Sequence, residues 1–278
     1  MNQSKHVLSN PWQALRGLTQ ARIALGRSGV SVPTSAQLDF QLAHARARDA
    51  VHMALDADAL VTALAGDGLA CLKVHSACPD RASYLQRPDL GRMLDAPSRA
   101  ALLAAAPASC DLALVIGDGL SALAIEQNAR PFLAVLLARL GKAEQQEQAQ
   151  EQAQEHAQWR LGPVVIASQA RVAVGDEIGA LLNARAVAML IGERPGLSSP
   201  DSMGVYLSWA PRVGLTDADR NCISNVRPAG LSYEEAAYRL HYLLTQARQR
   251  GISGVLLKDD TVAEGGLPQA GKGNFLLR

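Results

Sequence analysis

The chain has 278 residues and 27 lysines and arginines against 26 aspartates and glutamates, so one large α/β domain fits and a second catalytic domain does not. That balance lacks the basic excess of a dedicated nucleic-acid binder, and aromatics at 4% are too few to suggest a base-stacking surface. Cys71, Cys78, Cys110 and Cys222 hold no zinc or thioredoxin spacing, the N-terminus lacks a secretory core, and no apolar run reaches the roughly 20 residues of a membrane span, so a reducing cytoplasmic setting is expected.

In residues 10–25 the apolar Trp12, Leu15, Leu18 and Ile23 fall near one helical face, with Arg16 and Arg22 among the polar positions. This predicts an amphipathic helix docked on the core or on a partner. Residues 35–55 carry Leu38, Leu42, Ala45 and Val51 at helical spacing, with His44, Arg48 and His52 stacked four apart. An arginine between two histidines disfavours a cation, so that face reads as solvated or partner-facing. The two segments form an N-terminal helical arm over residues 1–60, ahead of an α/β domain over residues 61–278.

Residues 69–76 read as a strand. Arg81, Arg87 and Arg92 follow in a segment punctuated by Pro and Asp, with two readings open: a surface ion-pair cluster, or a face that docks against an acidic patch. Leu112-Ala113-Leu114-Val115-Ile116 is the next strand, and Gly117-Asp118-Gly119-Leu120-Ser121-Ala122 matches the permissive Gly-x-Gly-x-x-Gly/Ala dinucleotide fingerprint. Its context is poor, because residues 131–140 read as helix where a second strand with a ribose-binding acid belongs. Asp118 would also put negative charge beside a pyrophosphate. The glycines are therefore read as a tight strand-to-helix turn at one edge of a ligand crevice. Residues 144–158, almost wholly Gln, Glu and Ala, predict an exposed helical insert at about 143–158, with His156 solvated.

Two strand-and-loop units come next. Pro163-Val164-Val165-Ile166-Ala167-Ser168 leads through Gln169-Ala170-Arg171-Val172 to Gly175-Asp176-Glu177-Ile178, a helix start with acids in its first turn. Ala188-Met189-Leu190-Ile191 then runs into Gly192-Glu193-Arg194-Pro195-Gly196. Strand, helix, strand at this spacing favours a parallel sheet, with both loops leaving the same edge. Ligands of open α/β sheets sit outside the carboxyl ends of the strands, so Arg171, Val172, Glu193 and Arg194 are expected to face one site. A loop holding Cys222, Ser224 and Asn225 follows, then a capping box at Ser232-Tyr233-Glu234-Glu235 opening a helix to Arg248. Residues 252–257 read as a last strand, and the glycine-rich tail from Gly265 as loosely ordered or partner-dependent.

The blocks Val164-Val165-Ile166-Ala167-Ser168, Gly192-Glu193-Arg194-Pro195-Gly196-Leu197 and Asp219-Arg220-Asn221-Cys222-Ile223-Ser224-Asn225 closely resemble the small (light) subunit of ethanolamine ammonia-lyase. The resemblance extends back through residues 80–92 and 117–122, so it covers most of the chain. It implies a Rossmann-like, mostly parallel sheet flanked by helices, with residues 61–278 as a cobalamin-binding domain. It implies a separate large subunit, with which the chain holds adenosylcobalamin for conversion of ethanolamine to acetaldehyde and ammonia. Val172, Glu193 and Cys222 match the family's cobalamin-contacting positions. Taken as residues alone, Val172 could instead pack, Cys222 could be a small buried residue, and Glu193 could pair with Arg194 or Arg171.

No Asp-x-His-x-x-Gly sequence occurs, so cobalt is expected to keep its own dimethylbenzimidazole, with no metal ligand from this chain. The resemblance puts substrate and radical handling on the large subunit and assigns no catalytic residue here. It also associates the enzyme with bacterial microcompartments, which makes the N-terminal stripe a candidate encapsulation helix beside its plainer docking role. Two other classes stand behind this reading: a free-standing Rossmann-like nucleotide-dependent oxidoreductase using residues 117–122, and a non-enzymatic small-molecule-binding module.

Overall fold

The structure is a computed structural model and describes residues 7–106, 110–149 and 159–261. Among these residues six strands form one sheet: β1 (Cys71–His75), β2 (Cys110–Gly117), β3 (Val164–Ser168), β4 (Ala184–Gly192), β5 (Met203–Trp209) and β6 (Arg220–Val226). Their order is β1-β3-β2-β4-β5-β6, parallel from β1 through β4 and antiparallel at β5 and β6. The α/β, mostly parallel architecture expected from the sequence is present.

Among the described residues seven α-helices accompany the sheet: α1 (Thr34–His52), α2 (Ala57–Gly66), α3 (Arg81–Gln86), α4 (Ala96–Ala105), α5 (Ala122–Ala149), α6 (Val174–Leu181) and α7 (Tyr233–Arg250). Strand alternation divides the core into two layers. Leu112, Leu114 and Ile116 of β2 pack with Ile166, Leu190, Phe132 of α5 and Leu240 of α7. Ala113 and Val115 face the other way, toward Val165, Val187 and Met189, under Leu102 of α4 and Val174 and Ile178 of α6. With both faces covered, all eight residues of β2 are buried, which is why it reads as an unbroken apolar run.

Several local expectations are corrected. The stretch read as an amphipathic helix over residues 10–25 is a 3-10 helix, Pro11–Gly17, capped by the Asn10 side chain. Gly17 interrupts the periodicity, and beyond it the Thr19 hydroxyl accepts from the Ala21 N–H, a local turn that competes with helix. Residues 252–257 form a 3-10 turn, Gly254–Leu256, because Gly254 adopts φ +73 at its start. The reciprocal cap at α7 is only half made: Ser232 Oγ accepts from Glu235 N at 3.2 Å, while the Glu235 carboxylate pairs with Arg239 at 2.9 Å. The helix assigned to residues 131–140 belongs to the longer α5, with Pro131 inside it. Of the Glu/Gln-rich insert, the backbone to Ala149 continues α5; its remainder, His156 and the glycine-rich tail lie outside the described residues.

The acids opening α6 do more than meet a helix dipole. Asp176, buried, pairs with the buried Arg220, which also holds Asp217 and the Leu215 carbonyl. Glu177 accepts from the Leu94 N–H at 2.8 Å and from Arg99. Arg81, Arg87 and Arg92 do not form one cluster. Arg87 pairs with Asp89 at the surface and Arg92 is exposed, whereas Arg81 turns inward to the sheet edge.

Candidate functional site at the carboxyl edge of the sheet

Strand register brings His75, Ser168, Gly117 and Gly192 to one edge, where β5 begins and β6 ends. The loops after β3 and β4 both open there, the place where an α/β sheet holds ligands.

The loop after β3 is clamped from beneath. Asp118, buried, accepts from the N–H groups of Gln169 at 3.0 Å and Ala170 at 2.9 Å, and faces Arg81 at 3.5 Å. Gln169 adopts φ +54, a left-handed conformation that aims both amides at the carboxylate. Burial raises the Asp118 pKa, opposed by those amides and by Arg81. Arg81 also donates to the carbonyls of Val51 and Gly119. The Tyr84 ring lies between the guanidinium groups of Arg81 and Arg171, 4.6 and 4.2 Å from its centre, and its hydroxyl donates to the Ala170 carbonyl.

The Ala170 backbone is used by Asp118 and Tyr84. One sequence expectation changes here. Arg171, expected to face the site, stacks on Tyr84 and donates to its carbonyl.

Gly117 and Gly119 serve packing between turns. A methyl at Gly119 would lie 2.2 Å from the Gly192 carbonyl oxygen, and Leu120 N donates to that same oxygen at 2.9 Å. At the start of α5, Ser121 Oγ accepts from Ala124 N and donates to the Pro200 carbonyl. The β4–β5 connection thus lies against the helix start where a dinucleotide pyrophosphate would bind, which counts against the oxidoreductase reading.

Beyond β4 the α6 side of the sheet is less covered. Tyr206 on β5 is half-buried, and its register partner Cys222 is exposed, as is Ser224. Cys222 therefore sits on an edge strand and not on the expected loop, its sulfur 3.3 Å from Ser224 Oγ. Val172 and Tyr206 are both partly buried against the same apolar layer. Burial raises the Tyr206 pKa well above its ordinary value, reinforced by the Cys222 thiol and by Glu193. The phenol is therefore a neutral hydrogen-bonding group at physiological pH.

Glu193 leaves the end of β4 and turns back toward β6. Its Oε2 accepts from Ser202 Oγ at 2.5 Å and from Asn225 N at 3.2 Å, in place of the expected alternative pairing with Arg194 or Arg171. Oε1 has no hydrogen-bond partner among the described residues. Arg194 is exposed. The β5–β6 ladder shifts register between Met203 and Val205, and Asn225 opposite this bulge adopts φ +61. The irregularity takes the Asn225 amide out of the ladder and gives it to Glu193.

The structure therefore brings Glu193 and Cys222 to Tyr206, while Val172 lies on the loop after β3, against the same apolar layer. Sequence reasoning missed Tyr206, Ser202 and Gly204. Val205-Tyr206-Leu207-Ser208-Trp209 alternates as a strand does, but which face would stay open depended on where α6 stopped. Chemically this edge offers a carboxylate acceptor, a phenol, a thiol and a hydroxyl beside an apolar layer, a set able to hydrogen-bond polar N–H and O–H groups of a ligand. Among the described residues no three His, Cys, Asp or Glu side chains gather as a metal site, and no helix is long and apolar enough to cross a membrane.

The ethanolamine ammonia-lyase light chain family matches residues 9–258. The ethanolamine ammonia-lyase small subunit of Ralstonia nicotianae is 57% identical over 274 residues, covering 98% of this chain and 96% of that protein. Small subunits from Pseudomonas putida and Pseudomonas syringae pv. tomato are 56% and 57% identical, covering 96% and 93% of this chain and 96% and 86% of those proteins.

Proposed function

The chain belongs to the ethanolamine ammonia-lyase light-chain family, and from that premise we propose that it is the cofactor-holding part of an adenosylcobalamin-dependent lyase. In this reading it works with a large subunit to convert ethanolamine to acetaldehyde and ammonia, in the cytoplasm or inside a bacterial microcompartment. The observation that carries the reading is the Glu193 carboxylate, with one oxygen held by Ser202 and Asn225 and the other open over Gly204 and near Tyr206.

These residues fit the periphery of a corrin. Glu193 Oε1 would accept from a carboxamide N–H, a charge-assisted bond. Val172 would pack against the ring margin, and Cys222 with Ser224 would lie close to it without bulk. These residues would hold the cofactor by its periphery and would supply no ligand to its cobalt. When bound, the cofactor supplies radical chemistry through its cobalt–carbon bond, while the protein positions and shields it. The division of labour leaves substrate contacts to the large subunit.

Reconstitution tests this. The purified chain with adenosylcobalamin and ethanolamine should form no acetaldehyde, and adding the large subunit should create turnover. A single chain as active as the mixture overturns the proposal.

A further inference from the structure

We infer that Ser202, Asn225 and Arg227 are positioning residues that set the direction of the Glu193 carboxylate, so that Oε1 meets an N–H donor of carboxamide type on the ligand. This rests on the cobalamin reading above and adds residues that do not themselves touch the ligand.

A glutamate at a strand end has several rotatable bonds, and freezing them on binding weakens any bond it makes. Here the freezing is done beforehand. Ser202, itself buried, and the Asn225 amide both bond Oε2, which leaves Oε1 as the only oxygen free to turn outward. Asn225 is fixed in turn by Arg227, whose Nε donates to Asn225 Oδ1 at 2.9 Å. Arg227 is buried and reaches Asp201 at 3.2 Å, and the Asp201 carbonyl accepts from Asn128 of α5 at 2.8 Å. Tyr233 at the start of α7 closes the chain on Asn128 at 2.7 Å. The carboxylate is thereby tied to two core helices. Gly204 keeps the remaining oxygen clear, since a methyl there would come within 3.0 Å of Oε1.

The test is equilibrium binding of hydroxocobalamin to the assembled two-subunit complex carrying Ser202→Ala, Ser202→Thr, Glu193→Ala, or Ser202→Ala with Glu193→Ala, alongside the thermal midpoint of each. Ser202→Ala should weaken binding about tenfold, the loss of one ordering hydrogen bond, and Ser202→Thr should restore most of it. In the Glu193→Ala background Ser202→Ala should weaken binding no further, because its effect passes through Glu193. A merely structural role would lower the thermal midpoint and show no such coupling. If Glu193→Ala weakens binding but Ser202→Ala does not, or if the two losses add, the positioning inference fails while the cobalamin reading stands. If Glu193→Ala binds as tightly as the unmodified complex, the assignment of Glu193 fails first and takes the inference with it.

Discussion

Replacing Gly192 by alanine should open the carboxyl edge of the sheet by forcing two turns apart. A methyl at Gly192 would lie 2.1 Å from the Ser121 carbonyl oxygen and 2.5 Å from that of Asp118, both backbone atoms, so no side chain can swing away. Relief demands a backbone shift of about an ångström, against interiors that are packed like crystals. Overpacking of this kind costs about 3 kcal/mol, which lowers the thermal midpoint of a chain this size by about 6 to 12 °C. The shift falls between Asp118, which clamps the Val172 loop, and Glu193, the next residue after the substitution. Cobalamin affinity of the assembled complex should therefore drop together with stability. Gly175→Ala is the matched control. Its methyl would meet Met189 at 3.4 Å, an ordinary contact, and alanine is the better helix former by up to about 1 kcal/mol, so stability and affinity should hold or rise. Thermal melts and cobalamin titrations of both variants decide the matter. A Gly192→Ala complex with unchanged midpoint and affinity would refute the claim that this close approach builds the site.

Asp111 should govern part of the acid stability. Arg160 bonds it at 2.9 Å and holds its pKa below the ordinary carboxylate value, with Arg185 and Arg248 at 3.8 and 3.9 Å. That stabilisation is present above about pH 3.9 and is lost as pH falls through the lowered folded value. Asp111→Asn should therefore cost about 1 to 2 kcal/mol at pH 7, a gap that narrows below pH 4 in melts run across pH 3 to 7. Deleting the residues before Gly26 should leave turnover of the assembled complex largely intact. The contacts that stretch makes with the loop after β4 are long, Arg22 to the Leu197 carbonyl at 3.3 Å and Ser198 Oγ to the Gln20 carbonyl at 3.5 Å. Native mass or solubility should change instead, because Trp12 and Leu18 are exposed apolar surface. Unchanged mass with lost cobalamin binding would place the arm in the site.

The sequence by itself determined the elements whose signal is local. Residues 112–116 and 188–191 announce buried strands because an apolar run covered on both faces needs no alternation. Ser232 announces the start of α7 because its cap bond closes within one turn. The resemblance carried Val172, Glu193 and Cys222, and the order of strands and loops put Val172 and Glu193 at the carboxyl edge of the sheet. Periodicity failed at residues 10–25, where four apolar positions fit a helix that Gly17 and the Thr19 turn break up. It failed again at residues 252–257, where a positive φ at Gly254 outweighed strand-like composition.

Only the tertiary structure decided what each polar group faces. Asp118 looked like a charge misplaced beside a phosphate until the Gln169 and Ala170 amides were brought to it across 51 and 52 residues of chain. Arg81 and Arg171 looked like surface or ligand-facing cations, and both turn to Tyr84. Glu193 gained its orientation from Asn225, 32 residues away, through a bulge that pairing of β5 with β6 creates. Such partners are set by sheet order and register, which arise from the packing of all the strands together and leave no mark at any one position of the chain.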